Sequence, residues 1–154
     1  MARTIELERT VDASPDAVFH ALTDADELAR WWTTSAESDA RTGGAYSYRF
    51  EFEDASRNHT YTGEYIDVTP AVRVAYPWKT GLGPTEVDFR LEPADGGTRV
   101  RLVHSGWGEG GDWDESVQMH DQGWSFFLDN LKAYLERGED TRAAAMGMKT
   151  PATV

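Results

Sequence analysis

The fold of this chain is decided by the stretch Thr98-Arg-Val-Arg-Leu-Val-His-Ser-Gly-Trp107 and by the helical pattern that follows it. After a short loop rich in glycine and aspartate, bulky residues recur in steps of three and four, which predicts one long amphipathic helix. Its stripe contains Trp113, Val117, His120, Trp124, Phe127 or Leu128, Leu131, and Tyr134 or Leu135. A helix with aromatic residues along one face needs a broad, curved partner. The pattern therefore predicts a sheet wrapped around this C-terminal helix.

The strands of that sheet are predicted upstream, where six stretches alternate between apolar and polar residues. They are residues 5–11, 46–52, 59–68, 72–78, 87–91 and 100–104. Two short helices are predicted between the first two strands, the first of them beginning at Ser14-Pro15-Asp16. Residues 33–44 are predicted to form a loop. Hairpin-linked strands with helices outside the run indicate an α+β fold with an antiparallel sheet of about six strands.

The length and composition predict one domain over residues 1–137, followed over residues 138–154 by a polar tail that we expect to be mobile. No apolar run approaches the roughly 20 residues of a membrane span, and the first residues lack the apolar segment of a signal peptide. A cytoplasmic location is the expectation. The absence of cysteine excludes disulfides, thiol nucleophiles and cysteine metal sites.

The charge limits the classes of partner. A formal net charge of -12 argues against nucleic acid and against an anionic membrane surface, because both require a basic face. The acidic, lysine-poor composition is consistent with adaptation to high salt or with ordinary acidic solubility. We expect a monomer or a homodimer, since one sheet edge is free to pair with a second copy.

The predicted sheet and helix point a largely aromatic set of side chains toward each other. We expect these to line a ligand-binding cavity: Tyr46, Tyr48, Phe50, Tyr76, Trp78, Phe89, Leu102, His104, Trp113, Val117, His120 and Trp124. Aromatic walls with a few polar anchors are typical of small-molecule pockets. The alternative is that these side chains simply fill the core, because aromatic residues also dominate ordinary cores.

Two histidines are the candidates for chemistry. His104 ends an inward-facing strand and His120 lies on the inward helix stripe, so the two rings can lie close together. They could act as a general acid or base, ligate a metal, or serve a structural or ligand-anchoring role, which we favour. No third metal ligand accompanies them, and no phosphate loop or Gly-x-Ser-x-Gly elbow is present. We therefore expect no metal and no cofactor.

Four motifs in order resemble the START-like, or SRPBCC (Bet v 1-like), superfamily. They are Ala13-Ser-Pro-Asp-Ala-Val-Phe19 with Leu28-Ala-Arg-Trp-Trp32, Gly63-Glu-Tyr-Ile-Asp-Val-Thr-Pro70 with Val74-Ala-Tyr-Pro-Trp78, Thr98 to Trp107, and Gly123-Trp124 with Leu128 to Glu136. The resemblance is closest to homologues of the activator of the heat-shock-protein-90 ATPase. The His-Ser-Gly-Trp pattern resembles a feature that this superfamily keeps across differing functions.

This resemblance implies a helix-grip fold, with an antiparallel sheet curled around the C-terminal helix and a hydrophobic cavity between them. It does not imply one function. We expect a non-catalytic protein that binds a hydrophobic or aromatic small molecule. The alternatives are a cyclase- or hydrolase-type enzyme that uses His104 or His120, and a co-chaperone-like interaction module. Of the pair Trp31-Trp32, one ring is expected in the core and the other either there, which we favour, or at a pocket entrance or partner surface.

Overall fold

The computed structural model describes residues 3–150. The strands are β1 (Arg3–Val11), β2 (Ser35–Ser38), β3 (Ala45–Phe50), β4 (His59–Glu64), β5 (Asp67–Thr69), β6 (Arg73–Thr80), β7 (Gly83–Ala94) and β8 (Gly97–Trp107). The helices are α1 (Pro15–Thr23), α2 (Ala25–Trp31), α3 (Gly111–Arg137) and α4 (Arg142–Met146), with one turn of 3-10 helix at Ala55–Arg57.

The strands form two antiparallel sheets, one in the order β1-β8-β7-β6-β5 and the other in the order β2-β3-β4. Strand β4 also lies against β6, so the two sheets meet along one seam. The α+β fold is confirmed: a long C-terminal helix packs against a curved antiparallel sheet. The longest hairpin, β7–β8, turns at Asp95-Gly96, where φ is 48° and 80°. Two positive φ values in succession are what a tight two-residue hairpin requires.

The two short helices follow from their first residues. Ser14 accepts a hydrogen bond from the backbone N–H of Ala17, and Pro15 occupies the first helical position. Asp24 ends α1 and caps α2 by accepting from the backbone N–H of Glu27. These caps satisfy amide groups that a short helix would otherwise leave without partners. The result is a helical pair that delivers the buried rings of Trp31 and Trp32 to the core.

The strand predictions need three corrections. The predicted loop at 33–44 contains β2, which pairs with β3. The predicted strand at 59–68 is two strands, because β4 pairs with β3 whereas β5 pairs with β6 in the other sheet. Phe52 lies beyond the end of β3 and forms an isolated bridge with Met148. Residues 3–150 therefore contain eight strands, where about six were predicted.

The described part of the predicted tail, residues 138–150, makes buried contacts with the domain. The Arg142 side chain there is fully buried, forms an ion pair with Asp140 at 2.8 Å and donates to the carbonyl oxygens of Thr33 and Ala29. Further along, Met148 is buried. Hydrogen bonds of this kind fix the segment against the domain, which its small, polar composition did not indicate. Residues 1–2 of the predicted domain and 151–154 of the predicted tail lie outside the described residues.

Candidate functional site

An open cleft of about 480 Å³ lies between the middle of α3 and the region where β3, β4 and β6 meet. It is lined by Trp32, Phe50, Phe52, Ser56, Arg57, His59, Tyr61, Trp78, Met119, His120, Gly123, Trp124, Phe127 and Met146. The volume lies within the range of small-molecule sites, roughly 300–1,000 Å³. Helix α3 provides one wall, the strands provide the other, and α4 closes one side through Met146.

The floor of the cleft is a cluster of indole rings. Trp32 stacks on Trp78, with ring centroids 5.6 Å apart, and lies 5.2 Å from Trp124. Tyr61 stacks on Trp78 at 3.7 Å with an angle of 18° between the ring planes. Parallel and tilted ring contacts of this kind hold aromatic side chains in fixed orientations. The floor of the cleft is therefore a fixed aromatic cluster, in which Trp32, Trp78 and Trp124 are largely buried and Tyr61 is half-buried.

His120 is one of two imidazoles that line this cleft, the other being His59. Its Nδ1 lies 2.9 Å from the carbonyl oxygen of Ser116, so Nδ1 carries the proton and donates. Its Nε2 accepts a hydrogen bond from the indole Nε1 of Trp78 at 3.3 Å. Burial is the main cause that lowers the pKa of His120 from its usual value. His120 is therefore a neutral ring whose orientation is set by two hydrogen bonds.

His104 lies deeper, with none of its surface exposed. Its Nδ1 accepts from the indole Nε1 of Trp124 at 2.9 Å, and its Nε2 donates to Thr85 Oγ1 at 2.7 Å. The Thr85 hydroxyl in turn donates to the carbonyl oxygen of Trp78. Burial, and secondarily the nearby His120, lowers the pKa of His104 to about 3. Both ring nitrogens of His104 are hydrogen-bonded. The residue therefore connects its own strand, β8, to β7 and α3.

A hydrogen-bonded tyrosine cluster fills the sheet beside the cleft. Tyr48 and Tyr65 share a hydrogen bond at 2.5 Å, and Tyr65 also pairs with Ser38. Burial raises the pKa of Tyr48 and of Tyr76 well above the usual value. These phenols therefore stay protonated and act as packed core groups.

Residues 12–136 match the sequence profile of the family described as Activator of Hsp90 ATPase homolog 1-like protein. The chain belongs to this family. No curated protein matches this AHSA1-like chain. Within residues 3–150, none of its helices has the length and apolar character needed to cross a membrane.

Solved structures show the same fold. The Aha1 dimer from Colwellia psychrerythraea is 27% identical with a TM-score of 0.74, over 89% of this chain and 98% of that one. CV1439 from Chromobacterium violaceum is 28% identical with a TM-score of 0.72, over 86% of this chain and 97% of that one. DynU16, a protein of the dynemicin biosynthetic locus, is 25% identical with a TM-score of 0.74, over 88% of this chain and 48% of that one.

The residues predicted to bind a ligand in this AHSA1-like chain fall into two groups, those that line the cleft and those that do not. Four of them line the cleft: Phe50, Trp78, His120 and Trp124. Another six are buried in the packed core instead: Tyr46, Tyr48, Tyr76, Phe89, Leu102 and His104. These six side chains therefore do not line the described cleft. The predicted proximity of the two histidines is confirmed, with ring centroids 5.6 Å apart.

The remaining two predicted residues, Trp113 and Val117, lie half-buried in the first two turns of α3, away from the cleft. Trp113 packs against Trp107, with ring centroids 6.2 Å apart, and against the backbone of Gly108. A side chain at position 108 would collide with that indole, since a Cβ there would lie 2.6 Å from it. The glycine therefore allows Trp113 to cover the end of the sheet rather than a pocket.

Sequence reasoning missed most of the other lining residues. Tyr61 alternates with its neighbours along β4, and Met119 lies one helical turn from Gly123 on α3, so these carried a usable periodic signal. Arg57 and Met146 carried none, because they come from an irregular turn and from the tail. Within the described chain, no group of three histidine or acidic side chains is placed to hold a metal ion.

Proposed function

We propose that this AHSA1-like protein binds a planar hydrophobic or aromatic small molecule in the cleft between α3 and the β3–β4–β6 region. The observation that carries the proposal is the stacked floor of Trp32, Trp78 and Tyr61 beneath an open volume of about 480 Å³. Flat ligands bury large areas against such rings. The similarity to DynU16, a protein of the dynemicin biosynthetic locus, supports a small-molecule ligand.

His120 has a positioning role in this proposal. Its ring faces the cleft, but its two nitrogens are engaged with Ser116 and Trp78. A general base needs a free lone pair within reach of the substrate proton. Because Trp78 occupies that lone pair, we assign His120 to orienting the aromatic wall rather than to catalysis. His104, buried and bonded at both nitrogens, is still less suited to the enzyme alternative.

The proposal is tested at Gly123, the one lining glycine of the described cleft. A Cβ at this position would meet no atom within 4 Å, so the helix has open space in front of it. We expect Gly123→Ala to keep binding, since a methyl group occupies little of the cleft. We expect Gly123→Leu to reduce affinity at least about tenfold, because its side chain projects into the volume that the ligand needs.

The measurement is isothermal titration calorimetry with naphthalene-2-carboxamide, a neutral bicyclic probe. Alanine and leucine both favour helix over glycine, so the two variants differ in cleft volume rather than in helix propensity. The proposal predicts binding by the unaltered protein and by Gly123→Ala, and strongly reduced binding by Gly123→Leu. Equal affinity in all three proteins would place the ligand elsewhere and contradict it.

A further inference from the structure

The charge around the cleft differs from that of the molecule as a whole. Acids make up 27 of the 154 residues, so a random set of fourteen would include about two. None of the described residues that line the cleft is acidic; the lining includes one arginine, Arg57, and two histidines, of which His120 is neutral. In a chain of net charge -12, the lining of the cleft therefore contributes no negative charge of its own.

Arg57 is the permanent cation of this set, because a guanidinium stays protonated. It lies over the Phe52 ring, 4.2 Å from the ring centroid, and its Nη1 donates to the carbonyl oxygen of Met146 at 3.2 Å. Within residues 3–150 it has no carboxylate in an ion pair. Asp54 is close enough for Arg57 to help lower its pKa, but hydrogen bonds from Ser56 are the main cause and hold that carboxylate. Arg57 therefore keeps free N–H donors at the rim.

We infer that the cleft takes a planar aromatic molecule that carries a carboxylate, with its ring on the indole floor and its anion at Arg57. This inference rests on the proposed function and names the ligand class for the same cleft. A planar guanidinium pairs with a carboxylate through two parallel hydrogen bonds, which fixes orientation as well as adding affinity. Phe52 and the Met146 carbonyl hold the guanidinium in place for that contact.

A cationic ligand fits the same lining less well. Aromatic rings attract cations, but Arg57 at the rim repels them and no lining carboxylate of the described cleft compensates. A neutral ligand would use the rings alone and leave the guanidinium to water. The acid-free lining and the unpaired guanidinium together favour the aromatic carboxylate.

The test compares 2-naphthoate with its neutral counterpart naphthalene-2-carboxamide by calorimetric titration of the full chain. We expect the carboxylate to bind about tenfold more tightly, as one charge-assisted contact at an exposed site permits. We expect Arg57→Gln to remove that difference by weakening only the carboxylate. The control is Arg41→Gln, which removes the same charge from an exposed arginine that pairs with Asp39 outside the cleft.

The outcomes separate this inference from the function on which it rests. Carboxamide binding that Arg57→Gln leaves unchanged shows that the variant is folded and that the cleft is intact. Equal affinities of the two probes for the unaltered protein would overturn the inference while leaving the proposed function in place. The same loss in Arg41→Gln as in Arg57→Gln would also overturn it, because overall charge would then explain the preference.

Discussion

At the scale of single residues, His104 shows how one side chain joins three elements. Its ring accepts from Trp124 on α3 and donates to Thr85 on β7, while its own backbone belongs to β8. Both contacts require the neutral ring with its proton on Nε2. Protonation would place a charge in the buried core, and this burial, followed by the nearby His120, lowers the pKa of His104 to about 3.

This pKa predicts a pH dependence of stability. The unfolded chain takes up a proton at His104 below its ordinary pKa of 6.5, whereas the folded chain does not do so until about pH 3. The contribution is therefore fully present above pH 6.5 and is lost as the pH falls toward 3. We expect the free energy of unfolding in urea to fall by about 2 kcal/mol from this group between about pH 7.5 and about pH 5.

The control for this prediction is His104→Asn, which keeps an acceptor for Trp124 but does not titrate. We expect the variant to be less stable at both pH values and to lose about 2 kcal/mol less between them than the unaltered protein does. A variant with an unchanged pH dependence would show that His104 is not the group responsible. His120, whose pKa is also lowered chiefly by burial, adds to the same trend in both proteins.

The sequence predicts single residues unevenly. Strand alternation and helix period correctly bring His104 and His120 together, because those periods fix which face a side chain occupies. The two periods do not predict whether side chains that face each other pack tightly or leave a cavity between them. Six predicted cavity residues fill the core instead, and Trp32, for which packing was favoured, is buried and also borders the cleft.

At the scale of elements, α4 depends on tertiary contacts. Five residues are too few to form a stable helix alone, and the segment has no apolar period for a prediction to use. Its position is set by the buried guanidinium of Arg142, which contacts Asp140 and the carbonyl oxygens of Thr33 and Ala29. Asn130 on α3 adds a hydrogen bond to the same Asp140 carboxylate. These contacts make the tail a wall of the cleft.

Removing this anchor is expected to release the tail. Arg142→Met leaves two backbone carbonyls without their donor and removes the cation from the Asp140 carboxylate, and we expect a loss of about 3 kcal/mol in the free energy of unfolding. Amide hydrogen exchange over residues 142–149 should accelerate in the same variant. The matched control is Arg137→Met on the exposed end of α3, where the ion pair with Glu139 is worth under about 1 kcal/mol.

The two readouts must agree for this account of α4 to hold. If Arg142→Met lowers stability no more than Arg137→Met does, the buried guanidinium is not the anchor. Stability loss without faster exchange in the tail would show that Arg142 supports the domain but not α4.

At the scale of the whole molecule, the sequence predicts the architecture well. Alternating strands linked by hairpins and a long helix with an aromatic stripe agree with one another, and such agreement across levels specifies a fold. The pairing of the central strands was less predictable. Residues 59–68 form one run of alternating apolar and polar residues. The extended structure is nevertheless interrupted at Tyr65-Ile66, where the chain passes from one sheet to the other.

The cleft itself was the least predictable feature. A cavity is a small difference between the space that the backbone encloses and the volume of the side chains that fill it. Here that difference lies at one end of the sheet, where Gly123 omits a side chain, Phe52 leaves the strand and Met146 arrives from the tail. No local sequence pattern predicts that these three features coincide in space. They determine where the proposed ligand would bind.

The most direct test of the central claim is a nuclear magnetic resonance titration of the six indole N–H signals with naphthalene-2-carboxamide. Trp32, Trp78 and Trp124 line the cleft. The other indoles, which lie outside it, are internal controls: Trp31, Trp107 and Trp113. We predict that the probe shifts the signals of the first three and leaves the other three in place. Shifts spread over all six, or confined to Trp31, Trp107 and Trp113, would contradict the account.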